Sequence, residues 1–378
     1  MPRTILRPEE VPFMNWGMVT ETNYDGRWEE IPIKRYDPLF SHPIRLNGNP
    51  IDKMTGRFSY TSPVRATRPS GSSDDVFGPI VRGEEKDESY VIVVVGDGKN
   101  LNSAFSLEPI IGSYETYSAI SFLNRYPAML RHIDTQVEKD VISRLDAHSK
   151  IARGMNFVTT TTNRYDNISD MPQKELEELL KSMSHSISHA VAEVNERGIQ
   201  YIPIYPFFNL GPKVGGTVKQ VHAQTYLDLN NDGHGSTAEF MLTAFTDGCR
   251  VCESEHDGRL IYQNKGFDVW VSASPRRDHH IRFAPREHVR KLTDFDGFED
   301  YAEVILASNR ALDQLGVEED RNIEIYTCPD GYDSKFHWFG EILPWQRVGG
   351  FERLDNTQVV RKSPNEAANE LKKAIANL

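Results

Sequence analysis

Two long stretches of helical periodicity, each set between short strand-forming runs, constrain this chain more than any other feature. Over Pro172–Arg197, Leu176, Leu179, Leu180, Met183, Ile187 and Val191 recur every three or four residues, and Gly198 supplies a stop. A second such stretch lies near Gly297–Leu315. Ahead of the first helix the strand candidates are Tyr90–Val95, closed by Gly96-Asp97-Gly98, and Phe157–Thr162; after it come Tyr201–Tyr205 and Val218–Leu227. The second half repeats the order, with strands near Arg259–Tyr262, Asp268–Ser272 and His280–Ala284 before the helix, and Ile323–Thr327 and Phe336–Leu343 after it. In both halves a histidine-containing strand comes last. An apolar helix face flanked by strands has to bury itself on a sheet. The repeated order therefore predicts the α+β class, with two tandem modules that are each an antiparallel sheet with helices packed on it. A last helix is expected after Ser363-Pro364-Asn365-Glu366, a capping box with proline at the first helical position, where Ala367, Leu371, Ala374 and Leu378 keep helical spacing.

At 378 residues the chain exceeds one ordinary compact core. Residues 1–45, rich in proline, charge and isolated aromatics without a period, read as an N-terminal extension; 46–240 form the first module and 241–378 the second. Turn signals dominate from Leu46 to about Arg82, notably Asn47-Gly48-Asn49-Pro50 and Pro69–Ser73. With 38% hydrophobic and 26% charged residues and a mean hydropathy of −0.53, the composition is that of a soluble globular protein. No run reaches the roughly 18 apolar residues of a membrane span, and the first residues lack the apolar core of a signal peptide, so a cytoplasmic location without a membrane partner is expected. A net charge of −12 argues against a nucleic-acid partner, although a few arginines can still hold a nucleotide phosphate. Three cysteines give no disulfide framework.

The chemistry points to Gly215-Gly-Thr-Val-Lys-Gln-Val-His-Ala-Gln224. Adjacent glycines let backbone N–H groups approach an anion with no Cβ in the way. In a strand, His222 and Gln224 then project from one face, a nucleophile with a phosphate-oxygen donor beside it. An unprotonated imidazole is a good nucleophile at neutral pH, and its covalent adduct divides one hard transfer into two easier ones.

Around this stretch the residues resemble galactose-1-phosphate uridylyltransferases, the nucleotidyltransferase branch of the histidine-triad superfamily. The resemblance is carried by Asn209-Leu-Gly211, Gly215-Gly-Thr217 and Val221-His222-Ala223-Gln224, by Asp52–Pro69 with Arg65 and Arg68, by Phe122-Leu-Asn124-Arg-Tyr-Pro-Ala128, and by Gly350-Phe351-Glu352 with Gln358. These blocks occur in family order from about residue 46 onward. The resemblance implies two histidine-triad-like modules and a ping-pong transfer of a nucleoside monophosphate, UMP the expected group, between a nucleotide-sugar and a sugar phosphate. It implies that His222 attacks the α-phosphorus while Gln224 holds a non-bridging oxygen. Gly216, Thr217 and Asn209 would surround the phosphates, Arg65 and Arg68 would neutralise the leaving phosphate, and Asn124 would face the nucleoside. Glu352 and Gln358 would bind sugar hydroxyls across a homodimer. Two rivals stay open: inorganic phosphate as acceptor, which makes the chain a phosphorylase of a nucleotide-sugar or dinucleoside polyphosphate, and a nucleotide-binding protein without turnover.

The sequence departs from the family pattern at informative places. Gln220 replaces the histidine two residues before the nucleophile, the first-half cysteine pair is absent, and Asn163 stands where a metal-binding histidine is common. A zinc site in the first half is therefore not expected, and a hydrogen-bonded side-chain network would stiffen that region. In the second half Cys249, Cys252, His288 and His337 occupy the module-equivalent positions, a Cys₂His₂ set suited to structural zinc. Phe339 stands two residues after His337, where a second nucleophile would sit, so one active site per pair of modules is expected.

Overall fold

The computed structural model describes residues 2–5, 17–46, 49–68, 75–82, 91–95, 110–113 and 117–378, apart from Asp257, Asp333 and residues 355–356. Tyr90, the Gly96–Gly98 closure, Asn47-Gly48 and the Pro69–Ser73 turn lie outside the described residues.

A hairpin of β1 (Ile33–Leu46) and β2 (Asn49–Thr61) precedes the first-half strands β3 (Val91–Val95), β4 (Ala119–Leu123), β5 (Gly154–Thr161), β6 (Ile204–Leu210) and β7 (His222–Asp228). The second half supplies β8 (Leu260–Gln263), β9 (Phe267–Val271), β10 (Ile281–Pro285), β11 (Arg321–Tyr326) and β12 (Phe339–Pro344). The strands of both halves form one antiparallel sheet in the order β8-β9-β10-β12-β11-β6-β7-β5-β4-β3. Each half thus places its fifth strand between its third and fourth. The halves meet where β6 pairs with β11.

Helix α1 (Gln173–Glu196) joins β5 to β6, α2 (Ser236–Ala244) follows β7, α3 (Phe298–Gln314) joins β10 to β11, and α4 (Pro364–Ile375) closes the chain. The α1 stop is Gly198, at φ +82°. Leu176, Leu179, Leu180, Met183 and Ile187 are buried, as their spacing predicted, and each contributes about 1.5–3 kcal/mol by leaving water. Helices α1 and α3 pack on each other over one face of the sheet, onto which Ala223 and Leu227 also turn. With a two-residue period, that leaves His222, Gln224 and Tyr226 to the opposite face. The cap of α4 is as expected, Ser363 Oγ accepting from Glu366 N–H at 3.3 Å.

Several bounds differ from the sequence expectation for physical reasons. The strand expected over Tyr201–Tyr205 is β6, which runs on to Leu210 and so carries Asn209. Pro206, which cannot donate, pairs with Thr225 of β7 but lies just before the β11 ladder begins at Phe207. Strand β7 starts at His222 rather than Val218 because Val221 N–H turns to Tyr165 O, and β12 starts at Phe339 because Trp338 N–H goes to Val289 O. The boundary expected at 240/241 falls inside α2.

The boundary expected at 45/46 falls inside the β1–β2 hairpin. Residues before 46 lacked a period because Pro38 and Pro43 interrupt β1, whose register against β2 shifts between Tyr36 and Ser41 and between Pro43 and Arg45. This hairpin is bound to the end of β7 and the loop after it. Lys34, fully buried, donates to Asp228 at 2.6 Å and to Asp232 at 2.8 Å, while Tyr60 O–H reaches Asp228 and Tyr36 O–H reaches Asp232. A lone ammonium in that place would cost several kcal/mol, so the carboxylates of Asp228, at the end of β7, and Asp232, just beyond it, are the condition for the hairpin docking there.

Candidate functional site

The Gly215–Gln220 turn delivers the chain from β6 into β7. Gly215 sits at φ +94°, and a Cβ on Gly216 would lie 2.6 Å from Asn209 O and 2.7 Å from Gly211 O, so both positions demand glycine. Immediately after the turn, His222 Nδ1 lies 2.7 Å from Gln220 O. A carbonyl only accepts, so Nδ1 carries the proton and Nε2 presents its lone pair. Gln224 Nε2 is 3.5 Å from that nitrogen, and the Phe77 ring meets the imidazole edge-on at 5.1 Å. Gln220 itself is anchored: its side-chain amide donates to Thr160 Oγ1 at 3.1 Å and lies 3.5 Å from Thr161 O.

His222 and Gln224 line a cavity of about 60 Å³ together with Arg68, Asn124, Thr217 and Phe77. Arg68 donates to Thr217 Oγ1 at 2.6 Å across its mouth. Asn124 Oδ1 accepts from Tyr126 N–H, which shapes the turn after β4. Thr217 also borders a neighbouring cavity of about 340 Å³, lined by Asn209, Gly216 and Gln220. Asn209 Oδ1 accepts from Asn322 Nδ2 at 2.7 Å, a partner that spacing in sequence does not reveal.

Some expected site residues stand differently. The Gly216 N–H is committed to Gly211 O at 2.9 Å, so the amide expected to meet a phosphate already has an acceptor, because the turn folds back on itself. Arg65 points to Tyr126 O and does not line the His222 cavity. Glu352 and Gln358, expected to act across a homodimer, do not line the His222 cavity of their own chain; Glu352 accepts from the Gly349 and Val359 amides, and Gln358 Oε1 accepts from Arg277 at 2.6 Å. Phe77, Phe122 and Val158 were missed. The last two were legible only through register, since Val158 pairs with both Phe122 and Gln224.

Burial, and to a lesser degree the Arg68 charge, push the His222 imidazolium below its ordinary value of 6.5. The nucleophilic form is the neutral one. Adduct formation at His222 should therefore keep its full rate as pH falls through 6.5, with the acid limb below that value; single-turnover rates against pH read this directly, and a limb at or above 6.5 sinks the assignment. Burial, with the neighbouring Arg65 charge, also lowers the Arg68 guanidinium.

Strand register relates the two halves around the Phe207–Glu324 pair. Phe207 pairs with Gln224, and Glu324 pairs with Glu341. Gln224 therefore corresponds to Glu341, His222 to Phe339, and Gln220 to His337. At these positions the second half has a phenyl ring where the first half has an imidazole, and a carboxylate where the first half has an amide. Burial pushes the Glu341 carboxyl up, but His280, Arg282 and Arg276 outweigh this and hold it well below the usual carboxylate range. A fixed anion there opposes phosphate binding.

The expected metal ligands do meet. Cys249, Cys252, His288 and His337 offer ligand atoms that all lie within 4.8 Å of one another. Cys249 Sγ and Cys252 Sγ stand 3.5 and 3.4 Å from His337 Nδ1, and Cys252 Sγ stands 3.5 Å from His288 Nδ1. These are the separations expected of neighbouring ligands about a tetrahedral zinc ion, so the residues fit the metal. At Gln220, the counterpart of His337, a hydrogen-bonded amide takes the place of a ligand.

Comparison with known proteins agrees with this architecture. A galactose-1-phosphate uridylyltransferase from Thermotoga maritima is 23% identical over 216 residues; the match covers 54% of this chain and 65% of that relative, less than two thirds of its length. A solved uridylyltransferase superimposes with a TM-score of 0.59 at 21% identity, covering 70% of this chain and 90% of the other. An ADP-glucose phosphorylase from Arabidopsis thaliana, with bound ADP-glucose, superimposes with a TM-score of 0.61 at 18% identity, covering 90% and 98%. No protein-family model matches the chain. The resemblance read from the motifs thus holds, and the fold is shared.

Proposed function

We propose that this chain transfers a nucleoside monophosphate from a nucleotide-sugar to a phosphate-bearing acceptor through a nucleotidyl adduct on His222. The observation that carries the reading is the fixed tautomer: the bond from Nδ1 to Gln220 O leaves Nε2 unprotonated beside the Gln224 amide. In the first step the Nε2 lone pair forms a bond to the α-phosphorus, and the bond from phosphorus to the bridging oxygen breaks, releasing hexose 1-phosphate with that electron pair. Gln224 N–H and Arg68 meet the charge that develops on the phosphoryl oxygens. In the second step an acceptor phosphate oxygen attacks the same phosphorus, and the P–N bond breaks back to neutral His222. UMP as the transferred group, a hexose 1-phosphate as acceptor and a homodimer in which Glu352 and Gln358 reach the partner's site are the finer form of this reading, supported by the motifs that resemble uridylyltransferases. Zinc on Cys249, Cys252, His288 and His337 would be structural, since four protein ligands leave no place for substrate.

A second reading keeps the first step and takes inorganic phosphate as acceptor. It is supported by Gln220, where the site departs from the uridylyltransferase pattern, and by the likeness in fold to an ADP-glucose phosphorylase. One experiment tests both. Radiolabelled hexose 1-phosphate should exchange into UDP-, ADP- or GDP-hexose with no other substrate present, and net turnover should then appear with either hexose 1-phosphate or phosphate. Absence of exchange with every nucleotide-sugar would overturn the ping-pong mechanism.

A further inference from the structure

Thr160 of β5 stands directly opposite His222 in the β5–β7 ladder, so the two side chains leave the same face of the sheet. Its hydroxyl is fully buried and makes two bonds: it accepts from Gln220 Nε2 at 3.1 Å and donates to Val221 O at 3.1 Å. One hydroxyl thus holds both residues that precede the nucleophile. A second bond acts on the main chain between them. Val221 N–H donates to Tyr165 O at 2.7 Å. Tyr165 is held in turn, its O–H donating to Glu175 of α1 at 2.9 Å, on the same carboxylate oxygen that Asn163 Nδ2 reaches at 2.9 Å. Neither Thr160 nor Tyr165 lines the His222 cavity.

We propose that Thr160 is a positioning residue, which holds the Gln220–Val221 peptide so that its carbonyl faces His222 Nδ1 and keeps Nε2 free to attack. That carbonyl and the Val221 N–H are the two ends of one planar unit. Pinning the N–H to Tyr165 O aims the carbonyl the opposite way, and Thr160 stops the unit rotating by holding the Gln220 side chain before it and the Val221 carbonyl after it. The 2.7 Å bond to Nδ1 depends on that orientation. An imidazole without a fixed acceptor exchanges between its tautomers, and the one protonated at Nε2 has no lone pair there to offer phosphorus. Gln220 is itself buried, with no partner for Oε1 among the described residues, so it carries a burial cost that leucine would not. A polar residue kept at such a position suits a role in the site better than one in stability. In the second half the counterpart, His337, stands within the Cys₂His₂ cluster. The first half braces the same place with hydrogen bonds.

The effect on rate rests on the transferase reading, whereas the effect on the tautomer does not. Thr160→Val removes the hydroxyl and keeps the branched side chain. In the full chain labelled with ¹⁵N-histidine, the His222 ring is identified by the signals missing from His222→Ala. At a pH where the ring is neutral, wild type should show it protonated at Nδ1 alone, and Thr160→Val should show a mixture of both tautomers. Adduct formation in a single turnover of nucleotide-sugar should slow about tenfold or more in Thr160→Val, equal to about 1.4 kcal/mol, while apparent affinity for the nucleotide-sugar stays within about twofold. Thr160→Ser should restore both tautomer and rate. Gln220→Leu, which buries no unpaired oxygen, should melt no lower than wild type and still mix the tautomers. A ring protonated at Nδ1 alone in both Thr160→Val and Gln220→Leu overturns the proposal, whatever their rates. Mixed tautomers in these variants, with no adduct even in wild type, overturn the transferase reading and leave the positioning in place.

Discussion

His222→Ala should form no nucleotidyl adduct and should turn over at least about 10⁴-fold more slowly than wild type, a rise in barrier of about 5.5 kcal/mol. The loss is large because the imidazole makes and breaks the covalent bond in both steps; a residue that only bound substrate would cost much less. Little in the site can substitute. The Gln224 amide has no lone pair that attacks phosphorus at neutral pH, and Phe339 occupies the equivalent strand position in the second half. The informative readout is the acid-labile, base-stable protein-bound label after incubation with labelled nucleotide-sugar. Wild type should carry one label per chain and the variant none; a variant that still carries label at wild-type level removes His222 from the reaction.

The second large effect concerns the four-residue cluster in the second half. Purified wild type should contain one zinc per chain, and Cys252→Ser should lose most of it. The stretch Cys249–Glu253 lies outside any helix or strand, and across a metal its two cysteines would hold together His288, just after β10, and His337, just before β12. Binding energy at such a closed site is folding energy. We expect a loss of about 5 kcal/mol or more, which at about 2 °C per kcal/mol for a chain of this size lowers the melting temperature by about 10 °C. Equal metal content in the two proteins would sink the assignment of zinc to this cluster.

Much of this was legible in the sequence, for identifiable reasons. The α1 stripe from Leu176 to Ile187 buries as its period requires, because a helix of that length has one apolar face to cover. The turn at Gly215-Gly216 and the shared face of His222 and Gln224 follow from local geometry alone. Contacts that depend on register between distant strands were not legible. Val158 comes to lie beside Gln224, and Asn322 beside Asn209, only when β5 meets β7 and β6 meets β11. Strand β1 was hidden because two prolines break its alternation and because its most buried residue is a lysine, which looks like surface until Asp228 and Asp232 are in place. Glu352 and Gln358 were expected to serve a partner's site, and neither lines the His222 cavity of its own chain; what the motif did not reveal is that Gln358 accepts from Arg277.

The junction of β6 with β11 bears on how this molecule can be divided. A protein whose repeats each close their own sheet can be cut between them. Here the cut would strip the ladder from Phe207–Leu210 on one side and Arg321–Glu324 on the other, leaving each fragment a raw edge of unpaired amides and carbonyls. Either half expressed alone therefore offers a template for its own kind. Self-association of the pieces, rather than two independent small domains, is what limited proteolysis or truncation between the repeats should yield.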